Sequence, residues 1–122
     1  MFNIIKSNNN VKIQIFKSNN IIMGELLLRI HSGNIGTINN IYIDDEFKKK
    51  GYGSKLLNKT EIVSKKLNIK QLNLTAWSED IDNNLCYFYF KNNYKLTDNQ
   101  PKINVIDNYD NIYYLYNLYK NI

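Results

Sequence analysis

The hydrophobic period changes at residues 51–53, and that change limits the folds open to the chain. Before it, Val11, Ile13 and Ile15 alternate with Lys12 and Gln14, and Ile41 and Ile43 flank Tyr42. A period of two belongs to a strand with one wet face. After it, Leu56, Thr60, Val63 and Leu67 fall on one stripe of a helix. Period two returns over Ile69–Ala76 through Leu72 and Leu74.

The remaining segments fill in around this switch. Phe2–Ile5 predicts a short strand, and Ile21–Ile30 is apolar enough to predict a strand covered on both faces. Asn8–Asn10, Asn19–Asn20 and Gly33-Asn34 read as turns, the last of them a hairpin turn into Ile35–Ile43. Residues 82–92 predict a second helix with Leu85, Phe88 and Tyr89 on a shared side. Tyr94–Leu96 and Ile112–Leu118 read as closing strands, separated by a polar loop that includes Pro101. Strands, helix, strand, helix, strands is the order of an α+β (mixed α/β) domain. With 122 residues and 14.4 kDa, the expectation is one domain over residues 1–122.

Several classes are excluded. No apolar run reaches the ~18–20 residues that span a bilayer. MFNIIKSNNN lacks the basic-then-apolar pattern of a signal peptide, so a cytoplasmic protein is expected. The single cysteine, Cys86, rules out an internal disulfide and a four-cysteine zinc site, and no metal is expected. Asn, Ile, Lys and Tyr make up more than half of the chain, a bias in which no single Asn or Lys is informative by itself.

Charge is uneven. Residues 1–70 hold 11 Lys and one Arg against five acids, a net +7, whereas residues 71–122 hold four Lys against six acids, a net −2. A basic first half suits an anionic partner: nucleic acid, phosphate or a nucleotide cofactor. The segment Ile41–Leu57, IYIDDEFKKKGYGSKLL, narrows the choice. A strand runs into a basic, glycine-containing turn that opens a helix. The first N–H groups of a helix have no intrahelical partners and can donate to an anion. Lys48, Lys49 and Lys50 at that end oppose the helix dipole, and a bound phosphate would offset them.

Lys48-Lys49-Lys50-Gly51-Tyr52-Gly53 resembles the Gln/Arg-x-x-Gly-x-Gly/Ala signature of the GNAT superfamily of N-acetyltransferases, with Lys48 in place of Gln or Arg. Phe88-Tyr89-Phe90-Lys91-Asn92-Asn93-Tyr94 resembles the family's Leu-Tyr-Glu-Lys-x-Gly-Phe, with Asn93 in place of Gly. Asn is the next best residue for a left-handed cap. The two matches stand in the family's order, with one helix and one strand between them, and the resemblance covers about residues 21–96.

The resemblance implies a GNAT-like fold: a mostly antiparallel sheet with a splayed parallel pair and two main helices. It implies acetyl-CoA as co-substrate, its pyrophosphate on the backbone amides from Lys49 to Ser54, Gly51, Tyr52 and Gly53 included. Backbone groups of Ile41, Tyr42 and Ile43 would pair with the pantetheine arm. The family often has an Asn seven residues before the tyrosine; Asp82 stands there and Asn83 follows, so Asn83 is the candidate contact. Tyr89 matches the tyrosine that protonates the departing thiolate, and a phenol holds its proton at neutral pH. An amine would attack the thioester directly, with one strand amide polarising the carbonyl.

The base and the acceptor are less defined. Some members carry a Glu near the positions of Asn39 and Asn40; ordered water, Glu79 and His31 are the alternatives here. His31 reads as a turn-end residue, Cys86 as a small packing residue and Trp77 as a packing aromatic. Full members place two helices between the first two strands, where this chain has only Ser7–Asn10. The acceptor, a protein, peptide or small-molecule amine, would then meet an open cleft or one completed by a partner subunit. The tyrosines between 109 and 119 suit a homodimer face or a closing strand. Two other readings compete: a non-catalytic module that binds CoA or a partner, and a small basic nucleic-acid-binding domain, for which no recognised motif is present.

Overall fold

A computed structural model describes the chain except for residues 79–83, 99–101 and 107–111. The fold is mixed α+β, and it divides into two compact units: residues 1–72 with 121–122, and residues 73–120.

The first unit is built on four antiparallel strands in chain order, β1 (Phe2–Ser7), β2 (Asn10–Lys17), β3 (Ile21–His31) and β4 (Ile35–Ile43). Their connections are short because asparagine and glycine take left-handed turns. Asn8 opens the β1–β2 turn at φ 53°, and Gly33 and Asn34 lie at φ 80° and 63° between β3 and β4. Alternation along β2 buries Val11, Ile13 and Ile15, which join Leu26 and Leu28 of β3 and Ile38 of β4. Burying each such side chain contributes about 1.5–3 kcal/mol. Contrary to the expectation for Ile21–Ile30, only one face of β3 is fully buried. Glu25 on the other face is half-buried, taking a hydrogen bond from Gln14 (2.8 Å) and lying 4.0 Å from the Lys12 ammonium.

Helix α1 (Tyr52–Lys66) packs on β2, β3 and β4. Its buried face is Leu56, Leu57, Thr60 and Ser64, so the predicted stripe is rotated slightly. Val63 and Leu67 are only half-buried because they border a surface groove rather than the sheet. Thr60 satisfies its hydroxyl on the Leu56 carbonyl (2.8 Å), whereas the buried Ser64 Oγ has no hydrogen-bond partner among the described residues. The chain then reaches Ile69 and the start of β5 (Gln71–Ser78). The Lys70 N–H donates to the Asn34 carbonyl (2.8 Å), and a Cβ on Gly36 would sit 3.0–3.2 Å from Leu28, Leu72 and Ile69. β4 and β5 therefore start at the same end, the arrangement of a parallel pair.

The second unit carries the rest of β5, α2 (Asn84–Lys91), β6 (Lys95–Leu96), β7 (Lys102–Ile106) and β8 (Ile112–Asn121). β8 lies between β5 and β6 and also pairs with β7. Leu72, Leu74 and Ala76 are buried along β5 in strict alternation, as are Tyr116 and Leu118 on β8. β7 corrects the sequence reading, which placed a polar loop there. Ile103, Val105 and Ile106 give it strand character, and β8 supplies its ladder. Among the described residues, no helix is long and apolar enough to cross a membrane.

Candidate acetyl-CoA site

The β4–α1 connection is shaped by backbone conformation more than by side chains. β4 ends at Ile43, a single 3-10 turn follows (Asp45–Phe47), and α1 begins at Tyr52. Lys49 and Gly51 both take left-handed φ, 62° and 85°. A lysine is uncommon in this region, and backbone N–H groups around such residues form anion-binding concavities. Gly51 is the N-cap of α1 and has no side-chain capping bond. The helical ladder starts only with Lys55 N–H on the Gly51 carbonyl (3.2 Å), so the amides of Gly51, Tyr52 and Gly53 precede it. The first turn holds no acidic residue, and a Cβ at Gly51 would meet nothing within 4 Å. These are the features of a helix start open to an anion.

Side chains brace this turn from below. Phe47 is buried and meets the Tyr52 ring edge-on, centroids 6.4 Å apart. The Lys17 ammonium lies 5.1 Å from the Phe47 ring and that of Lys55 lies 5.3 Å from Tyr52. The Lys48 ammonium pairs with the exposed Asp45 carboxylate at 2.8 Å, and this hydrogen bond and charge hold the Asp45 pKa below its ordinary value. Lys50 is exposed.

Ile41, Tyr42 and Ile43 form the end of β4. Two features that sequence reading missed position them. Register shifts between Leu27 and Leu28, so Asn39 is an extra residue on β4, a β-bulge that re-aims the strand beyond it. Gly24 pairs with Ile43, and a Cβ there would lie 2.6 Å from the Tyr42 carbonyl oxygen, so only glycine lets β3 approach so closely. The signal for Gly24 was a lone glycine inside the apolar run Ile21–Ile30. Tyr42 is half-exposed, and its phenol pKa is raised by partial burial and by the charges of Glu25 and Asp44.

Tyr89 belongs to the second unit, on α2. It is 9% exposed, packed against Phe88 (5.1 Å between centroids) and Tyr94 (6.0 Å). Burial, with a smaller contribution from Cys86, raises its pKa, so its proton is held more firmly than in a free phenol. Its carbonyl accepts the Tyr94 N–H (3.0 Å), while the Phe90 carbonyl accepts the Asn93 N–H (3.0 Å). With Asn93 at φ 69°, this is a complete Schellman cap, and the backbone of Tyr89 is one of its anchors. Cys86 is fully buried and its thiol is held protonated, as suits packing. His31 meets the Thr37 hydroxyl at 2.9 Å beside the β3–β4 turn. Trp77 remains 53% exposed, leaning on Tyr113 at 6.1 Å. Asn83 and Glu79 lie outside the described residues.

The profile of the acetyltransferase (GNAT) family matches residues 2–93. The chain belongs to that family. Among solved structures, a Bacillus anthracis acetyltransferase in complex with acetyl coenzyme A superposes with a TM-score of 0.78 at 20% identity, over 97% of this chain and 65% of its own. The ribosomal-protein-S18-alanine N-acetyltransferase of Escherichia coli gives 0.80 at 15% identity, over 96% and 72%. The PaiA N-acetyltransferase of Thermoplasma acidophilum, in complex with coenzyme A, gives 0.70 at 21% identity, over 93% and 62%. At these identities the likeness is one of fold, and the chain spans under two thirds of the length of two of these proteins. No curated protein matches. The match to the GNAT family spans both the glycine turn that opens α1 and Tyr89 on α2. Among the described residues, no group of His, Cys, Asp and Glu could hold a metal ion.

Proposed function

We propose that residues 1–122 form a single GNAT-like domain that transfers the acetyl group of acetyl-CoA to a primary amine. The observation that carries this reading is the open start of α1: left-handed Lys49 and Gly51, no side-chain cap, no first-turn acid and a run of lysines, all within the segment that resembles the family's signature. The amides from Lys49 to Ser54 would hold the pyrophosphate, and Lys48, Lys49 and Lys50 would offset its charge. Ile41, Tyr42 and Ile43, aimed by the Asn39 bulge and by Gly24, would pair with the pantetheine arm. The amine attacks the thioester carbon, the tetrahedral intermediate collapses, and the C–S bond breaks. Tyr89 would give its proton to the departing thiolate, the attacking nitrogen would lose one proton to water, and the phenolate would take one back from water, leaving the N-acetylated amine and the CoA thiol. Asn83 would add a contact to the cofactor.

The acceptor is a protein, peptide or small-molecule amine. The two-residue turn Asn8-Asn9, where fuller members carry two helices, supports an acceptor side of low relief. A second reading, CoA binding without turnover, is favoured by Asn39 and Asn40, which cannot take a proton where some members carry Glu. Calorimetric titration with acetyl-CoA and CoA, followed by thiol release over an amine panel, separates the two. Binding with turnover that Tyr89→Phe abolishes supports the enzyme. Binding without turnover on any amine supports the second reading, and no binding at millimolar ligand rejects both.

A further inference from the structure

We propose that β1 is a self-association edge, on which a second copy of this chain pairs antiparallel through Phe2, Ile4 and Lys6. Phe16 N–H donates to the Met1 carbonyl (2.9 Å) and the Met1 amino group donates to the Phe16 carbonyl (3.1 Å), so Met1 and Phe16 form a hydrogen-bonded pair. Such pairs recur at every second residue of an antiparallel ladder. In the β1–β2 register, Asn3, Ile5 and Ser7 therefore aim their N–H and C=O groups at β2. Phe2, Ile4 and Lys6 aim theirs outward, and among the described residues β1 pairs with β2 alone. Ile4 and Ile5 are 43% and 47% exposed, one on each face, and nothing on β1 blunts the edge except Lys6.

A second copy fits this edge for three reasons. Two-fold pairing centred on Ile4 matches every outward residue at once: Ile4 faces the partner's Ile4, and Phe2 faces the partner's Lys6. No like charges stand directly opposite, and both ends of the pairing exchange a ring for a lysine stem. The same face also carries a groove of about 250 Å³ beside β1, lined by Ile4, Val11, Val63 and Leu67 and rimmed by Lys6, Lys59 and Lys66. Pairing in this register brings the partner's Phe2 ring to the Lys6 end of that apolar groove. The Lys59 ammonium already lies 5.5 Å from this chain's own Phe2 ring, so the face accommodates the same kind of contact within one copy. The rim lysines of two copies repel, so added salt should tighten the pairing.

Sedimentation velocity of the full chain over rising concentration is the first measurement, with a dimer expected that strengthens in high salt. Hydrogen exchange should then slow with concentration at the Phe2, Ile4 and Lys6 amides, while the Asn3, Ile5 and Ser7 amides stay constant. Ile4→Pro removes an outward N–H, which an edge strand tolerates, and should give a chain that stays monomeric, with a melting temperature close to that of the wild type at concentrations where both are monomers. Ile4→Cys, under oxidised glutathione, should cross-link, because hydrogen-bonded antiparallel partners sit about 5.5 Å apart, within disulfide reach. Ile5→Cys should not, since Ile5 faces the partner's Asn3. Buried Cys86 does not compete. A chain that stays monomeric at millimolar concentration, cross-linking at Ile5 in preference to Ile4, or protection of the outward amides only on adding octanoate or an acidic peptide would each overturn the proposal.

Discussion

The two ends of α1 are built on opposite principles. Its C-terminus is closed: Asn68 turns left-handed at φ 62°, its N–H reaches the Lys65 carbonyl (3.1 Å), and Ile69 N–H reaches the Ser64 carbonyl (2.9 Å). That is a complete Schellman cap, with Lys65 and Lys66 placed to favour the dipole. Its N-terminus has two left-handed residues as well, yet no capping side chain and lysines of the disfavoured sign. One end satisfies itself within the chain. The other has no side-chain cap and no first-turn acid, and this contrast supports the proposed phosphate site better than the glycine motif alone.

The contrast is sharpest if each end is broken in turn. Gly51→Glu adds a carboxylate and a strained left-handed residue to the open end; CoA affinity, read by calorimetry, should fall at least about 100-fold, with about 1–2 kcal/mol of stability lost to the backbone strain. Unchanged affinity would place the anion elsewhere. Asn68→Val should do the reverse, lowering stability by about 1–2 kcal/mol, several degrees in melting temperature, while CoA affinity holds. The equivalent Asn93→Val on α2 should cost about the same stability but also reduce turnover, because that cap grips the Tyr89 carbonyl.

A smaller effect concerns proton linkage. Burial raises the Tyr89 and Cys86 pKa values, so the folded state holds their protons more tightly than the unfolded chain. Their contribution to stability is complete below the unfolded pKa values, about 9–10, and is lost as pH rises through the folded ones. Denaturation midpoints should therefore drop above about pH 9, and less steeply in Tyr89→Phe. An equal slope in the variant would remove Tyr89 from the account. At the open end again, Asp45→Asn frees Lys48 and removes a negative charge; CoA should bind a few-fold tighter in low salt and no tighter in high salt. The least effect belongs to the closed half of the helix. Ser64→Ala deletes a buried, unpartnered hydroxyl and should raise stability by about 0.5–1 kcal/mol.

Most of the fold was legible because its signals are local. The switch from period two to helical period at residues 51–53 located β4, the turn and α1, and Asn93 was readable as a left-handed cap. What escaped depends on partners distant in sequence. β7 holds through its ladder to β8, and its own five residues, KINVI, are too short and too close to Pro101 to announce a strand. The Asn39 bulge exists only relative to Leu27 and Leu28, and the role of Gly24 only relative to the Tyr42 carbonyl. The rotation of the α1 stripe likewise reflects which side the sheet occupies. Of the site, the turn at 48–54 was visible as a motif, whereas the residues that aim β4 at it were not.

Asn8, Asn20, Asn34, Asn68 and Asn93 all turn left-handed; the remaining non-glycine case among the described residues is Lys49. Glycine codons all begin with two guanines, whereas asparagine is written in adenine-rich triplets. A chain drawn from a vocabulary poor in guanine and cytosine can thus still turn corners that would ordinarily be given to glycine, at a modest conformational penalty for each. Where such a substitution falls inside a family signature, as at Asn93, a pattern search that demands glycine will pass over the protein although the backbone it encodes is intact.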